Sequence, residues 1–159
     1  MLFRSRARLR QLATQISSIQ DEESIFTVSV RSVAEALGVD CVSVFIRSEF
    51  ETRFTRRAYV DRPGRTEALL RMEDDSTLIR VLQETRRGVL LDELAHHATG
   101  ADRHYFSELR RTQEFELVVP IYADAYFYGF LATGVRGVGT LYTELDFSLL
   151  ETIDRKSVV

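Results

Sequence analysis

Tryptophan is absent from this 159-residue chain, proline and methionine each occur twice, and cysteine once. Each shortage excludes something. A lone Cys41 makes no internal disulfide, so the fold must rest on an apolar core and not on covalent staples. No apolar run approaches the length of a spanning helix. No secretory hydrophobic region opens the chain, which together with the single cysteine predicts a reducing, cytoplasmic compartment. A net charge of -3 gives no bias toward nucleic acid or an anionic membrane, and neither is expected as a partner. With 45% hydrophobic and 28% charged residues the composition is that of an ordinary globular protein. At this length one domain is expected, burying about two thirds of its open-chain surface. Lys156 is the one lysine among 21 basic residues, a skew that reads as codon usage.

Apolar periodicity places the elements. Leu2, Leu9, Leu12, Ile16 and Ile19 stand 7, 3, 4 and 3 residues apart, an a/d seam on an Arg-rich helix over 1–20. So narrow a seam suits pairing with a second copy, and the segment is expected to be a dimerisation and signalling helix. Packing on its own domain and a transit peptide are the alternatives. Asp21 is an N-cap, with Glu22 and Glu23 in the first turn. Ile25, Phe26, Val30, Val33 and Leu37 follow at helical spacing, and Gly38 closes the helix. Val39 to Arg47 reads as a strand covered on both faces, with Cys41, Ser43 and Phe45 on one side and Val42, Val44 and Ile46 on the other. Phe54 to Val60 returns, and Asp61-Arg62-Pro63-Gly64 turns the chain. Ser76 opens a short helix ending at Gly88, and Val89-Leu90-Leu91 is a short strand. From Asp92 to about Thr112 the chain reads as a long irregular lid with at most one helical turn around Tyr105 to Arg110. Phe115 to Ala123 and Tyr126 to Val135 form a hairpin across Asp124-Ala125, with Pro120 at a bulge or unpaired edge. A last helix, 143–159, carries Leu145, Leu149, Leu150 and Ile153, and its open end implies a module cut from a longer chain.

Four segments carry a resemblance. Asp40-Cys41-Val42-Ser43-Val44-Phe45-Ile46, Leu117-Val118-Val119-Pro120-Ile121, Tyr128-Gly129-Phe130-Leu131 and Tyr142-Thr143-Glu144-Leu145-Asp146 resemble, in order and spacing, segments of GAF domains. These are the small-molecule-sensing modules of bacterial signalling proteins. The resemblance spans about residues 9 to 155. It implies an α+β, PAS/GAF-type fold: a central antiparallel sheet of five or six strands, terminal helices on one face, short helices and a lid loop on the other. It implies a single sensory domain over 1–159, not an enzyme, that binds a small molecule under the lid. Such a domain works as a homodimer. Its terminal helices pass the signal to a fused or partner effector, such as a kinase, cyclase or transcription activator, as in two-component systems. The fold does not fix the ligand. The lid cysteine of bilin-binding members, the several cysteines of methionine-sulfoxide-reducing members and the Asn-Lys-Phe-Asp-Glu signature of the cyclic-nucleotide subtype are all missing here.

Within that frame the candidate ligand residues are Ser43, Phe45, Arg57, Tyr59, His104, Tyr105, Tyr128 and Phe130. Arg57 and Tyr59 alternate onto one face of the second strand. They sit among Arg53, Arg56, Arg62, Arg65 and Arg71, a stretch that reads as an anion clamp or as a charged edge against aggregation. Tyr128, Phe130 and Ala132 alternate onto one face and read as an aromatic pocket or as ordinary core. His96, His97 and His104 could ligate haem iron or a metal, but converging ligands are too few, and a solvated loop is the plainer reading. Haem and cyclic nucleotide are admitted as cofactors without being favoured, and no metal is expected. Arg71-Met72-Glu73-Asp74 matches an Arg-x-x-Asp pattern of some cyclic-dinucleotide sites, a spacing that chance often supplies. No Gly-x-Ser-x-Gly, phosphate-binding Gly loop or His-Glu-x-x-His is present. The rival function is a dimerisation or scaffold module with a vestigial pocket, marked by filled packing behind Tyr128 and Phe130. A haem- or redox-binding domain is the third.

Overall fold

The computed structural model describes residues 22–47, 50–62, 68–123 and 125–134. The seam from Leu2 to Ile19, the turn at Pro63-Gly64 and the helix expected over 143–159 lie outside the described residues. Strand β1 (Val42–Ile46) is buried at every position, because its β-branched and aromatic side chains have apolar cover on both faces. The other strands are β2 (Arg53–Val60), β3 (Arg71–Glu73), β4 (Val89–Leu90), β5 (Leu117–Ala123) and β6 (Tyr126–Thr133). They form one six-stranded sheet in the order β3-β2-β1-β6-β5-β4. Every pairing is antiparallel. This is the α+β arrangement that the resemblance implies.

Helix α1 (Glu22–Leu37) covers one face. Phe26, Val30, Val33 and Leu37 form its apolar stripe and share a core cluster with Val42 and Val44 of β1, Val119 of β5 and Leu131 of β6. Gly38 follows with φ +68, the left-handed end that a C′ glycine supplies without strain. Helices α2 (Thr77–Thr85), α3 (Leu91–His97) and α4 (Gly100–Gln113) cover the other face. There Phe45, Phe54 and Phe130 meet Leu78, Ile79 and Leu82 of α2 and Phe106 and Leu109 of α4.

The stretch from Asp92 to Thr112 is therefore not an irregular lid but two helices. Leu91, Leu94, Ala95 and Ala98 lie at i, i+3, i+4 and i+7, and Tyr105, Phe106 and Leu109 continue on the buried side. The polar residues that suggest a loop are the solvent side of these helices. Leu91 opens α3, where the sequence reads as a strand end. Helix α2 stops before Gly88, with Arg86 left-handed at its C-cap. Strand β3 leaves no clear mark in the sequence, since only Met72 of its three residues is buried. Pro120 lies past Val118, the last β5 residue that β4 pairs, and just before a bulge, where its missing N–H is tolerated.

Two bulges reset the faces. Val44 pairs with Ala58 but Phe45 with Arg56, so Arg57 is the extra residue of β2. Ile121 pairs with Gly129 but Tyr122 with Phe127, so Tyr128 is the extra residue of β6. Past each bulge, residues two apart no longer share a side.

Gly129 sits opposite Ile46 and beside the backbone of Phe45. A Cβ built there would stand 2.1 Å from the Phe45 carbonyl oxygen, so no side chain fits without moving a central strand. Gly129→Ala should cost about 3 kcal/mol, read as a lower denaturation midpoint at unchanged slope. A midpoint equal to wild type would refute the close approach.

Candidate functional site

The residues named from the sequence fall in three places, not one, and Tyr128 lies apart from all three. The first is the face under α2, α3 and α4. Phe45 and Phe130 are fully buried there, and their rings stack at 4.7 Å between centroids and 11° between planes. Phe115 meets Phe45 edge-on at 6.1 Å, and Phe54 tilts against Phe130 at 5.8 Å. Ser43 pairs with Ala132 on one side and Tyr59 on the other and is buried. Phe45 and Phe130 thus belong to a buried cluster of rings on the face where the sequence expects a pocket. Tyr128 is not part of this wall. The bulge turns it to the α1 side, where it packs against that face's core, while Phe127 and Phe130 take the helix-covered side.

The second place lies at the outer end of β2. The bulge brings Arg56, not Arg57, beside Tyr59. The Arg56 guanidinium lies 3.8 Å from the centroid of the Tyr59 ring. Its side chain is only 7% exposed and is ion-paired with Asp61 at 3.2 Å. Removing Asp61 would leave a buried charge without its counter-ion, so the pair holds Arg56 of β2 to Asp61 just beyond the strand. Arg57 is exposed. Strict alternation points to the wrong arginine, and nothing in the local sequence announces the bulge.

The third place is the outer side of α4. His104 and Tyr105 line a groove of about 360 Å³ together with Leu69, Leu109 and Gln113. The Leu69 N–H donates to Gln113 Oε1 at 2.7 Å. His104 is exposed and Tyr105 half-buried. Burial holds the Tyr105 phenol above the ordinary tyrosine value, opposed by Ser76 and the Leu78 backbone. Burial also raises Tyr122, opposed by the charge of Arg86, whose guanidinium lies 4.8 Å from the ring centroid.

The remaining charges mostly tie elements together. Arg110 bridges Asp92 of α3 at 3.2 Å and Glu116 at 3.1 Å, and Arg80 of α2 reaches Asp102 of α4 at 3.2 Å. Arg62 pairs with Glu114 at 2.7 Å. Asp74 pairs with Arg47 at 3.3 Å, so the acid of the Arg-x-x-Asp pattern is engaged elsewhere. Arg65 lies outside the described residues. His96 and His97 sit exposed at the end of α3 with rings 5.3 Å apart. Among the described residues no group of three or more His, Cys, Asp or Glu side chains converges.

No family model and no curated protein sequence matches the chain. Solved structures do. The GAF domain of an Acinetobacter phosphoenolpyruvate-protein phosphotransferase superimposes with a TM-score of 0.72 at 19% identity, covering 95% of this chain and 88% of that one. Residues 122 to 287 of a methyl-accepting chemotaxis protein superimpose with a TM-score of 0.72 at 14% identity, covering 92% of each chain. Free methionine-R-sulfoxide reductase from Neisseria meningitidis, solved with its substrate, gives a TM-score of 0.67 at 14% identity, covering 97% and 90%. At these identities the likeness is one of fold.

Two outcomes check this geometry. Phe130→Ala should cost about 3–5 kcal/mol through the cavity it leaves, whereas Tyr59→Ala at the exposed stack should cost less than about 1 kcal/mol. Comparable losses would mean that the rings do not fill the core. The second outcome concerns pH. A phenol whose folded pKa is raised stays protonated in the folded chain after the unfolded chain begins to ionise. Its contribution is complete below about pH 10 and is lost as pH climbs through the folded value. Denaturation midpoints should therefore fall above about pH 10, less steeply in Tyr105→Phe. An identical slope in that variant would count against a buried phenol.

Proposed function

The chain has the GAF fold, and from that premise we propose that it is a non-enzymatic regulatory domain of a signalling protein. In this reading it acts chiefly as an assembly module with a closed core. The observation that supports the closed core is the Phe45–Phe130 stack, fully buried on the face where the sequence expects a pocket. Filled packing at Phe130 separates a scaffold from a receptor. The regulatory role is supported by fold neighbours in a phosphotransferase and a chemotaxis protein. The reductase neighbour invites an enzymatic reading, but Cys41 is buried and no second cysteine exists in the chain to complete a thiol relay. The working unit is a cytoplasmic homodimer joined through Leu2, Leu9, Leu12, Ile16 and Ile19. It passes its state through its terminal helices to a fused or partner effector of the kinase, cyclase or transcription-activator kind. No helix among the described residues is long and apolar enough to cross a membrane.

Reception of a small molecule beneath α2 to α4 is the second reading. The substrate held by the reductase neighbour favours it. In this chain it requires Phe45 and Phe130 to part.

Light scattering and a thermal-shift panel of metabolites and nucleotides decide between them. The closed-core reading expects a dimer that Leu12→Glu with Ile16→Glu converts to monomer. A strict monomer at high micromolar concentration refutes the assembly. A metabolite that raises the Tm by several degrees in wild type and not in Phe130→Leu overturns the closed core in favour of reception.

A further inference from the structure

The opposite side of the β2–β3 edge carries a groove that the regulatory reading does not use. Partners in an antiparallel pair project from the same side of a sheet. Phe54 pairs with Met72, and both are buried under the α2–α4 face. Thr55 pairs with Arg71 and Arg53 with Glu73, so these four project from the other side. Arg53 and Arg71 are diagonal neighbours, about 7–8 Å apart along the backbone, and their long arms can converge above Thr55. With Phe50, Glu51 and Thr52 the two arginines and Thr55 line a groove of about 460 Å³. Its floor is firm: the Asp74 N–H donates to the Thr52 carbonyl at 2.9 Å, locking the strand ends together.

Two independent features of this groove ask for a ligand. Phe50 is 94% exposed, an aromatic face with nothing on it. Arg47, Arg56, Arg62, Arg80, Arg110 and Arg111 all form ion pairs. Arg53 and Arg71 form none among the described residues, although they stand side by side and repel. Glu73 faces Arg53 without coming within ion-pair reach. An anion between the two guanidinium groups would relieve the repulsion, and a flat ring would cover Phe50.

We propose that this groove binds a phosphate monoester carrying a flat ring, of which a nucleoside monophosphate is representative. Arg53 and Arg71 fork onto the phosphate, the Thr55 hydroxyl donates to it, and the ring stacks on Phe50. Glu51 accepts from hydroxyl or amino groups of the ring-bearing part and disfavours a bare phosphate. The volume lies within the range of small-molecule sites. The site is on the face away from Phe45 and Phe130, so it stands whether or not the closed-core reading does.

Calorimetric titration of the full chain with adenosine monophosphate, inorganic phosphate and adenosine tests this. Adenosine monophosphate should bind at least about tenfold more tightly than either fragment. Arg53→Ala and Arg71→Ala should each weaken it about tenfold or more, and Phe50→Ala about tenfold. Arg57→Ala, an exposed cation outside the groove, should leave it unchanged and so controls for general charge. An unchanged Tm in each variant confirms that the fold is kept, as expected for exposed side chains. No binding at millimolar adenosine monophosphate overturns the proposal. So does equal affinity for inorganic phosphate, insensitivity to Arg71→Ala, or an equal loss in Arg57→Ala.

Discussion

Burial of β1 on both faces is the constraint from which the arrangement follows. A strand with apolar side chains alternating to both sides cannot leave either side in water without exposing several rings and branched chains. Val42, Val44 and Ile46 therefore need α1, and Phe45 needs the three helices on the other side. Being central, β1 must also accept a neighbour on each edge, β2 on one and β6 on the other. The tightest demand falls on β6, which comes so near the Phe45 carbonyl that only Gly129 fits. Sheet order, helix placement and the one obligatory glycine of β6 are thus consequences of five consecutive residues.

Much of this is legible in the sequence because it depends on period alone. Helix α1 with its terminal Gly38, the two faces of β1 and the hairpin of β5 and β6 all declare themselves by spacing and turn chemistry. The errors have a common physical origin. Alternation is a rule for regular strands, and a bulge breaks it; the one in β2 has no glycine or proline beside it, and the one in β6, though flanked by Pro120 and Gly129, carries nothing that singles out Tyr128 as the extra residue. Arg57 and Tyr128 are the extra residues at two such points, so Arg56 takes the place expected for Arg57, and Tyr128 leaves the wall expected to hold it. The lid misleads for a different reason. Helices α3 and α4 bury a narrow stripe and present a wide polar side, so composition points to a loop while the stripe at i, i+3, i+4 and i+7 points to helix. Period is the better witness.

The fate of the charges follows the same logic. A surface ion pair contributes little to stability, because water already solvates both partners. Arg80 with Asp102 and Arg110 with Asp92 therefore link α2 to α4 and α4 to α3 while adding little to stability. Arg56 differs, since its guanidinium is withdrawn from water and held by Asp61 and the Tyr59 ring. It belongs to the structure of the β2 end. An arginine so engaged is poorly available to an outside anion, which is why the density of arginines in this stretch overstates its capacity as a clamp. What counts is the subset without counter-ions.

The proposed regulatory role would need two states that some influence distinguishes, and an influence can shift them only by its differential affinity. The helix-covered face resists such a shift. Parting Phe45 from Phe130 would open a void between close-packed rings, and voids in a core cost several kcal/mol. The β2–β3 edge offers less resistance. Strand β3 has three residues, pairs on one side only, and contributes a single buried side chain. Its movement disturbs few apolar contacts, yet β2 connects it directly to β1 and so to the face on which α1 lies. Local stability is lowest where buried contacts are fewest. The fold thus places a short, lightly buried edge strand one step from β1, which is buried at every position, so a displacement of β3 would reach the α1 face through β2 without parting the Phe45–Phe130 stack.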